Sequence, residues 1–130
     1  MAWVEIFVVF LVCHHVGDYL LQTDWQARHK RGGLGADAVA RRALGSHIAT
    51  YTLAFVPALV WLADETGAAA IGIGAVIAVP HLVQDDGRAL SAYVRRIKGE
   101  SALGEPAVMA TADQSFHIVA LFLTALLAAS

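Results

Sequence analysis

Three histidine/aspartate pairs at i, i+4 spacing, His14 with Asp18, His81 with Asp85 and Asp113 with His117, interrupt stretches built otherwise from Val, Ile, Leu, Ala and Phe. On an α-helix, residues four apart lie one above the other, so each pair presents an imidazole and a carboxylate toward one point. Imidazole nitrogen and carboxylate oxygen form the ligand set of zinc, iron and manganese sites. The same groups relay protons in membrane pumps and transporters. A single pair is commonly a hydrogen-bonded packing clamp, but three in one short chain point to a site. No Ser/His/Asp or Cys/His nucleophile arrangement accompanies them. Cys13, one 100° helical step from His14, reads as a small buried hydrophobe.

The elements that must position these residues follow from composition. With 58% hydrophobic and 15% charged residues, the chain is far from the soluble average, and its solvent is a bilayer. Apolar runs at 2–21, 44–63, 68–90 and 107–128 each approach the roughly 20 residues that cross about 30 Å of hydrocarbon. The expected fold is all-α: a polytopic membrane protein, a single four-helix transmembrane bundle over residues 1–130. The first run lacks a basic leader and contains His14, His15 and Asp18, so it reads as a retained helix rather than a signal peptide. Pro80, directly before His81, is expected to kink the third helix and aim its pair. Pro106 suits the first turn of the fourth. Residues 37–42 begin the second helix ahead of the membrane, and residues 90–98 suit a short amphipathic helix at its surface. The small residues Ala70, Gly74 and Ala78 form a stripe for close helix approach, within the chain or in a homodimer.

Charge orients the chain. All nine Lys and Arg residues fall between the first and second runs, or at the end of the third and before the fourth. The turn between runs two and three carries Asp64 and Glu65 instead. Cytoplasmic loops collect positive charge, so the two basic loops are expected in the cytoplasm, with both termini outside. Trp3 and Trp61 then mark the outer interface and Trp25 the inner one. Basic residues so close to the membrane read as topology signals and lipid contacts, not as a nucleic-acid surface.

In this topology His14, His81 and His117 fall at one depth near the cytoplasmic side. Asp18, Asp85 and Asp113 fall one turn closer to it. His47 adds an imidazole from the second helix. One spacing separates His14 from His81 and Asp18 from Asp85, a faint sign of two like-oriented helix hairpins. Unpaired carboxylates are prohibitive in so dry a place, whereas one or two divalent ions neutralise them. The candidate ligands are therefore His14, Asp18, His47, His81, Asp85, Asp113 and His117. His15, Gln22, Asp86 and Gln114 are candidate supports for them. The metal is expected to be zinc, with iron or manganese as alternatives.

The stretch HHVGDYLLQTDWQ at residues 14–26, with HLVQD from His81 and DQSFH from Asp113, resembles domain-of-unknown-function family 3307, small membrane proteins of bacteria and their phages. The resemblance covers nearly the whole chain. It implies a four-helix membrane fold and a His/Asp set onto which His14, Asp18, Gln22, His47, His81, Asp85, Asp113 and His117 map, and it implies no activity. A more distant similarity is to longer membrane-bound metal-dependent hydrolases. Three functions follow as expectations for a multi-pass protein of the bacterial cytoplasmic membrane. The first is a metal-dependent hydrolase of a lipid-like substrate, with Asp113 as proton shuttle and Arg28, Lys30 and Arg88 meeting an anionic headgroup. The second is a transporter of protons or divalent metal through the same ring. The third is a small structural or regulatory subunit stapled by its metal.

Overall fold

The first apolar run forms helix α1, Trp3–His15, and then continues differently from expectation. Val16–Leu20 is a π-helical turn in which the Leu21 amide donates to the Val16 carbonyl at 2.9 Å. Such wide turns occur mostly as single insertions within α-helices, frequently at functional sites. Gly17 permits this one, because a Cβ there would lie 2.6 Å from Cδ2 of Tyr51. A short helix α2, Asp24–His29, follows, opened by Thr23, whose hydroxyl accepts from the Gln26 amide at 3.1 Å. A computed structural model describes residues 1–130, and all of its regular elements are helical.

Helix α3 spans Ala38–Thr66 and passes through Pro57. At 29 residues it runs about 43 Å at 1.5 Å per residue, longer than the hydrocarbon layer. Its start at Ala38 agrees with the expectation that residues 37–42 open this helix. Asp37 caps it, accepting from the amides of Val39 at 2.7 Å and Ala40 at 3.1 Å. Helix α4, Ala69–Asp86, continues unbroken through Pro80. The third apolar run was expected to reach residue 90, but it stops four residues earlier. Gly87 adopts φ 81° there and closes the helix from the left-handed region that favours glycine. The chain then turns into α5, Arg88–Ile97, an amphipathic helix that buries Leu90 and Val94 and exposes Arg95 and Arg96. Helix α6, Pro106–Ala128, begins with Pro106 in its first turn.

Three segments are long and apolar enough to cross a membrane: Trp3–Leu20, Ala38–Thr66 and Pro106–Ala128. Helix α4 has the length, but Pro80, His81, Gln84, Asp85 and Asp86 dilute its apolar character. The four long helices close a ring in which α1 and α4 each pack against α3 and α6. Gly74 of the small-residue stripe faces α3, where a Cβ would meet Leu59 Cδ1 at 3.0 Å, so part of the stripe packs within the chain.

The two ends of the ring differ in character. At one end the Met1 amine bonds Glu65 at 2.6 Å, joining the start of α1 to the α3–α4 turn. Behind it lies a dry core of Ile6, Phe10, Phe55, Leu62, Ile77 and Leu121. At the other end, the Gly32 amide donates to the Asp86 carbonyl at 2.9 Å, tying the first basic loop to the end of α4.

Candidate metal centre

Between that dry core and the basic loops lie four buried histidines and two buried aspartates, delivered by different helices. α1 and its π turn bring His14 and Asp18, α3 brings His47, α4 brings His81 and Asp85, and α6 brings His117. The π turn directs Asp18 toward His47 and His81. Its Oδ1 lies 3.2 Å from His47 Nε2 and 3.3 Å from His81 Nε2. Asp85 Oδ2 lies 2.8 Å and 3.1 Å from the same two nitrogens, which are 3.1 Å from each other. A tetrahedral ion with bonds of 2.0–2.1 Å has ligand edges of about 3.3 Å. Five edges among the four atoms thus come close to those of a coordination tetrahedron, and these buried groups can hold a metal ion.

A second group shares Asp85. Its other oxygen, Oδ1, lies 3.4 Å from His117 Nε2, and Asp113 completes the set. His117 Nδ1 is 2.7 Å from the Asp113 backbone carbonyl. That contact puts the ring proton on Nδ1 and leaves the Nε2 lone pair free. Nε2 is buried without a hydrogen-bond partner, as is Asp18 Oδ1. Buried polar atoms are rarely orphaned, and an ion in each group would satisfy one of them. The Asp113 side chain, 26% exposed, is the most open of the ligand candidates.

The structure does not bring His14 into either group. Its Nε2 meets Gln114 Oε1 at 2.9 Å and its Nδ1 meets the Tyr51 hydroxyl at 3.0 Å. Because an amide oxygen only accepts, Nε2 donates; in the neutral ring Nδ1 then accepts from Tyr51, and both nitrogens are occupied. His14 therefore acts as a fixed neutral strut, 3.7 Å from Asp18. Gln114 is found beside His14 as a support, and Gln22 donates to the Asp18 backbone carbonyl at 3.0 Å. The other two expected supports are elsewhere. His15 is exposed, contacting the Leu11 carbonyl. Asp86 accepts from the Leu34 amide at 2.8 Å and from Arg88 Nε at 2.6 Å, which organises the loop. A 100° step turns His15 away from His14 and Asp86 away from Asp85.

The cationic candidates separate in the same way. Arg88 is taken up by Asp86, and Arg28 by Asp24 at 2.9 Å on an exposed face. Lys30 alone reaches the centre, placing Nζ 2.7 Å from Asp85 Oδ2. Beside it opens a cavity of about 360 Å³, bordered by Lys30, Arg31, Gln84, Asp85 and Asp113.

Two contributors escape a reading by residue type alone. Tyr51 is fully buried, stacks on His81 with ring centres 3.5 Å apart and planes within 5°, and donates to His14. Its i, i+4 relation to His47 would have found it. Gly17 makes room for that tyrosine, and its position just before Asp18 was the signal.

Neither the curated proteins nor the solved structures offer a match to the chain, so the distant resemblance to hydrolases gains no support. A family model does match, over residues 6–130. The chain with this His/Asp centre belongs to the family described as Protein of unknown function (DUF3307).

Proposed function

We propose that the chain is a membrane-embedded metalloprotein whose His/Asp centre, open to the cytoplasm, hydrolyses a membrane-delivered substrate. One observation carries this reading: Asp18, His47, His81 and Asp85 converge buried ligand atoms at coordination spacing. In the proposal Asp85, Asp113 and His117 would hold a second ion. Bound zinc would bring water to a nucleophilic state near neutral pH and polarise the scissile group. Asp113, the carboxylate nearest the open cavity, would take the proton.

The membrane placement has four spans in this reading. Helix α4 supports its inclusion because its outward residues are apolar, Ile71 being 79% and Val79 58% exposed. Lipid would cover such a face, while the polar residues that lower its hydropathy turn inward. The basic end would face the cytoplasm and the Met1–Glu65 end the outside, in the bacterial cytoplasmic membrane. Transport is disfavoured because the apolar core behind the histidines offers no polar route onward.

Metal analysis of protein purified in detergent tests the centre. About one or two equivalents of transition metal are expected, lost when His81 and His117 are changed together to Ala. A metal-free wild type would sink the proposal. Reporter fusions in the first basic loop and at the C-terminus test the orientation, with only the loop reporting cytoplasm.

A further inference from the structure

The cavity beside Asp85 has a feature that metal binding alone does not require. Arg28, Arg88 and Arg95 each pair with a carboxylate, Asp24, Asp86 and Glu100 respectively. Arg31 borders the cavity and pairs with none. Its side chain lies against Gly87, where a Cβ would be 3.4 Å from both Cγ and Nε of the arginine. The stem of an exposed arginine without an ion pair therefore lies over a glycine at the opening. Lys30 stands next to it in sequence and in the cavity, with its ammonium on Asp85 Oδ2.

Resting on the metal reading above, we propose that this opening is a subsite for a phosphate monoester dianion, held by Arg31 and Lys30 beside the metal centre. A metal held by Asp85 would compete with Lys30 for that carboxylate, which would free the ammonium within the cavity that Arg31 also borders. A planar guanidinium fork and a mobile ammonium together suit the tetrahedral oxygens of a phosphate. A carboxylic ester has no dianion for two cations to hold. The N-terminus of α6, which carries no side-chain cap, borders the same opening at Pro106 and adds a favourable dipole for an anion. Asp85 and Asp113 also face the cavity and balance the two cations. The anion is thus repelled until metal covers the carboxylates, which makes phosphate binding metal-dependent.

The dianion has two sources, a free phosphate compound or a lipid headgroup, and one experiment separates them. Full-length protein in detergent, zinc-loaded or stripped, is titrated with inorganic phosphate, short-chain phosphatidic acid and short-chain phosphatidylcholine, followed by ³¹P NMR. Zinc content is measured in parallel. The loaded protein is expected to bind the first two, and stripping zinc to weaken both by about tenfold or more. Arg31→Gln is expected to weaken them by about tenfold at unchanged zinc content. Tighter binding of phosphatidic acid identifies a lipid headgroup, and equal binding identifies the phosphate alone. If Arg31→Gln binds both as wild type does, or if phosphatidylcholine binds equally well, the subsite is refuted while the metal centre stands. If wild-type protein takes up no zinc, both readings fall.

Discussion

The contact between Lys30 and Asp85 yields the sharpest test of the centre, because it assigns the ammonium and the metal to the same oxygen. Lys30 Nζ is 2.7 Å from Asp85 Oδ2, with the two side chains 14% and 1% exposed. His47 and His81 aim their Nε2 atoms at that oxygen from 2.8 Å and 3.1 Å. In the proposed metal-bound state the ion would compete with the ammonium for that oxygen. A hydrogen bond between charged groups contributes about 1.5–3 kcal/mol. Changing Lys30 to Met removes the competitor while keeping the aliphatic stem. Zinc affinity should rise by about 10- to 150-fold, the same energy expressed as an equilibrium constant. The metal-free variant should be less stable by about the same 1.5–3 kcal/mol, since Asp85 loses its cation, and zinc should restore it. Lys30→Arg keeps the charge and should stay near wild type. Competition against a chromophoric chelator gives the affinity, and thermal unfolding in detergent gives the stability. Unchanged or weaker zinc binding in Lys30→Met would refute the shared oxygen as the metal position.

Other outcomes follow from neighbouring contacts. His47→Ala and His81→Ala should each remove the ion held with Asp18, whereas His117→Ala should remove only the ion on the far side of Asp85; identical losses from all three would argue for a single position. Gly17→Ala places a methyl 2.6 Å from Tyr51 Cδ2, and should lower stability by about 1–3 kcal/mol while disturbing zinc binding through the Tyr51–His81 stack; an unaltered unfolding curve in detergent would contradict the packing. The amides of Ala40 and Val39 hold the Asp37 carboxyl below its ordinary value. Its contribution is therefore complete above the usual aspartate range, near pH 3.9, and is lost as pH falls through the lowered folded value. Asp37→Asn should blunt the loss of helix during acid titration monitored by circular dichroism, and an unchanged acid limb would argue against the cap.

The polar residues of this chain announce the centre because each is out of place in an apolar helix. Asp18, His47, His81, Asp85 and His117 were legible on those grounds, as were the helices that carry them. What spacing could not assign was the use of each nitrogen. His14 satisfies the same i, i+4 rule as His81, yet its neighbours Tyr51 and Gln114 come from distant segments and occupy both ring atoms. Lys30 reads as a loop cation because the contact that matters is with α4, across the fold. The π turn was hidden for a related reason: Gly17 and Asp18 fit an α-helical pattern, and only the approach of Tyr51 shows why the wider turn is favoured. Gly87, directly after the double aspartate, is the stop signal that an apolar run read to residue 90 passes over. The apolar residues Leu90 and Val94 that follow it belong to another helix, packed with Met109 and Ala112.

The dry packing of Phe10, Phe55, Leu62 and Leu121 behind the histidines has an electrical consequence. A charge carried across a membrane exchanges about 2.3 kcal/mol with every 100 mV of potential. In a centre entered and left through one opening, the metal, the proton and any anionic substrate return to the side they came from. The net displacement across the field is zero. The turnover of such a centre would generate no net current.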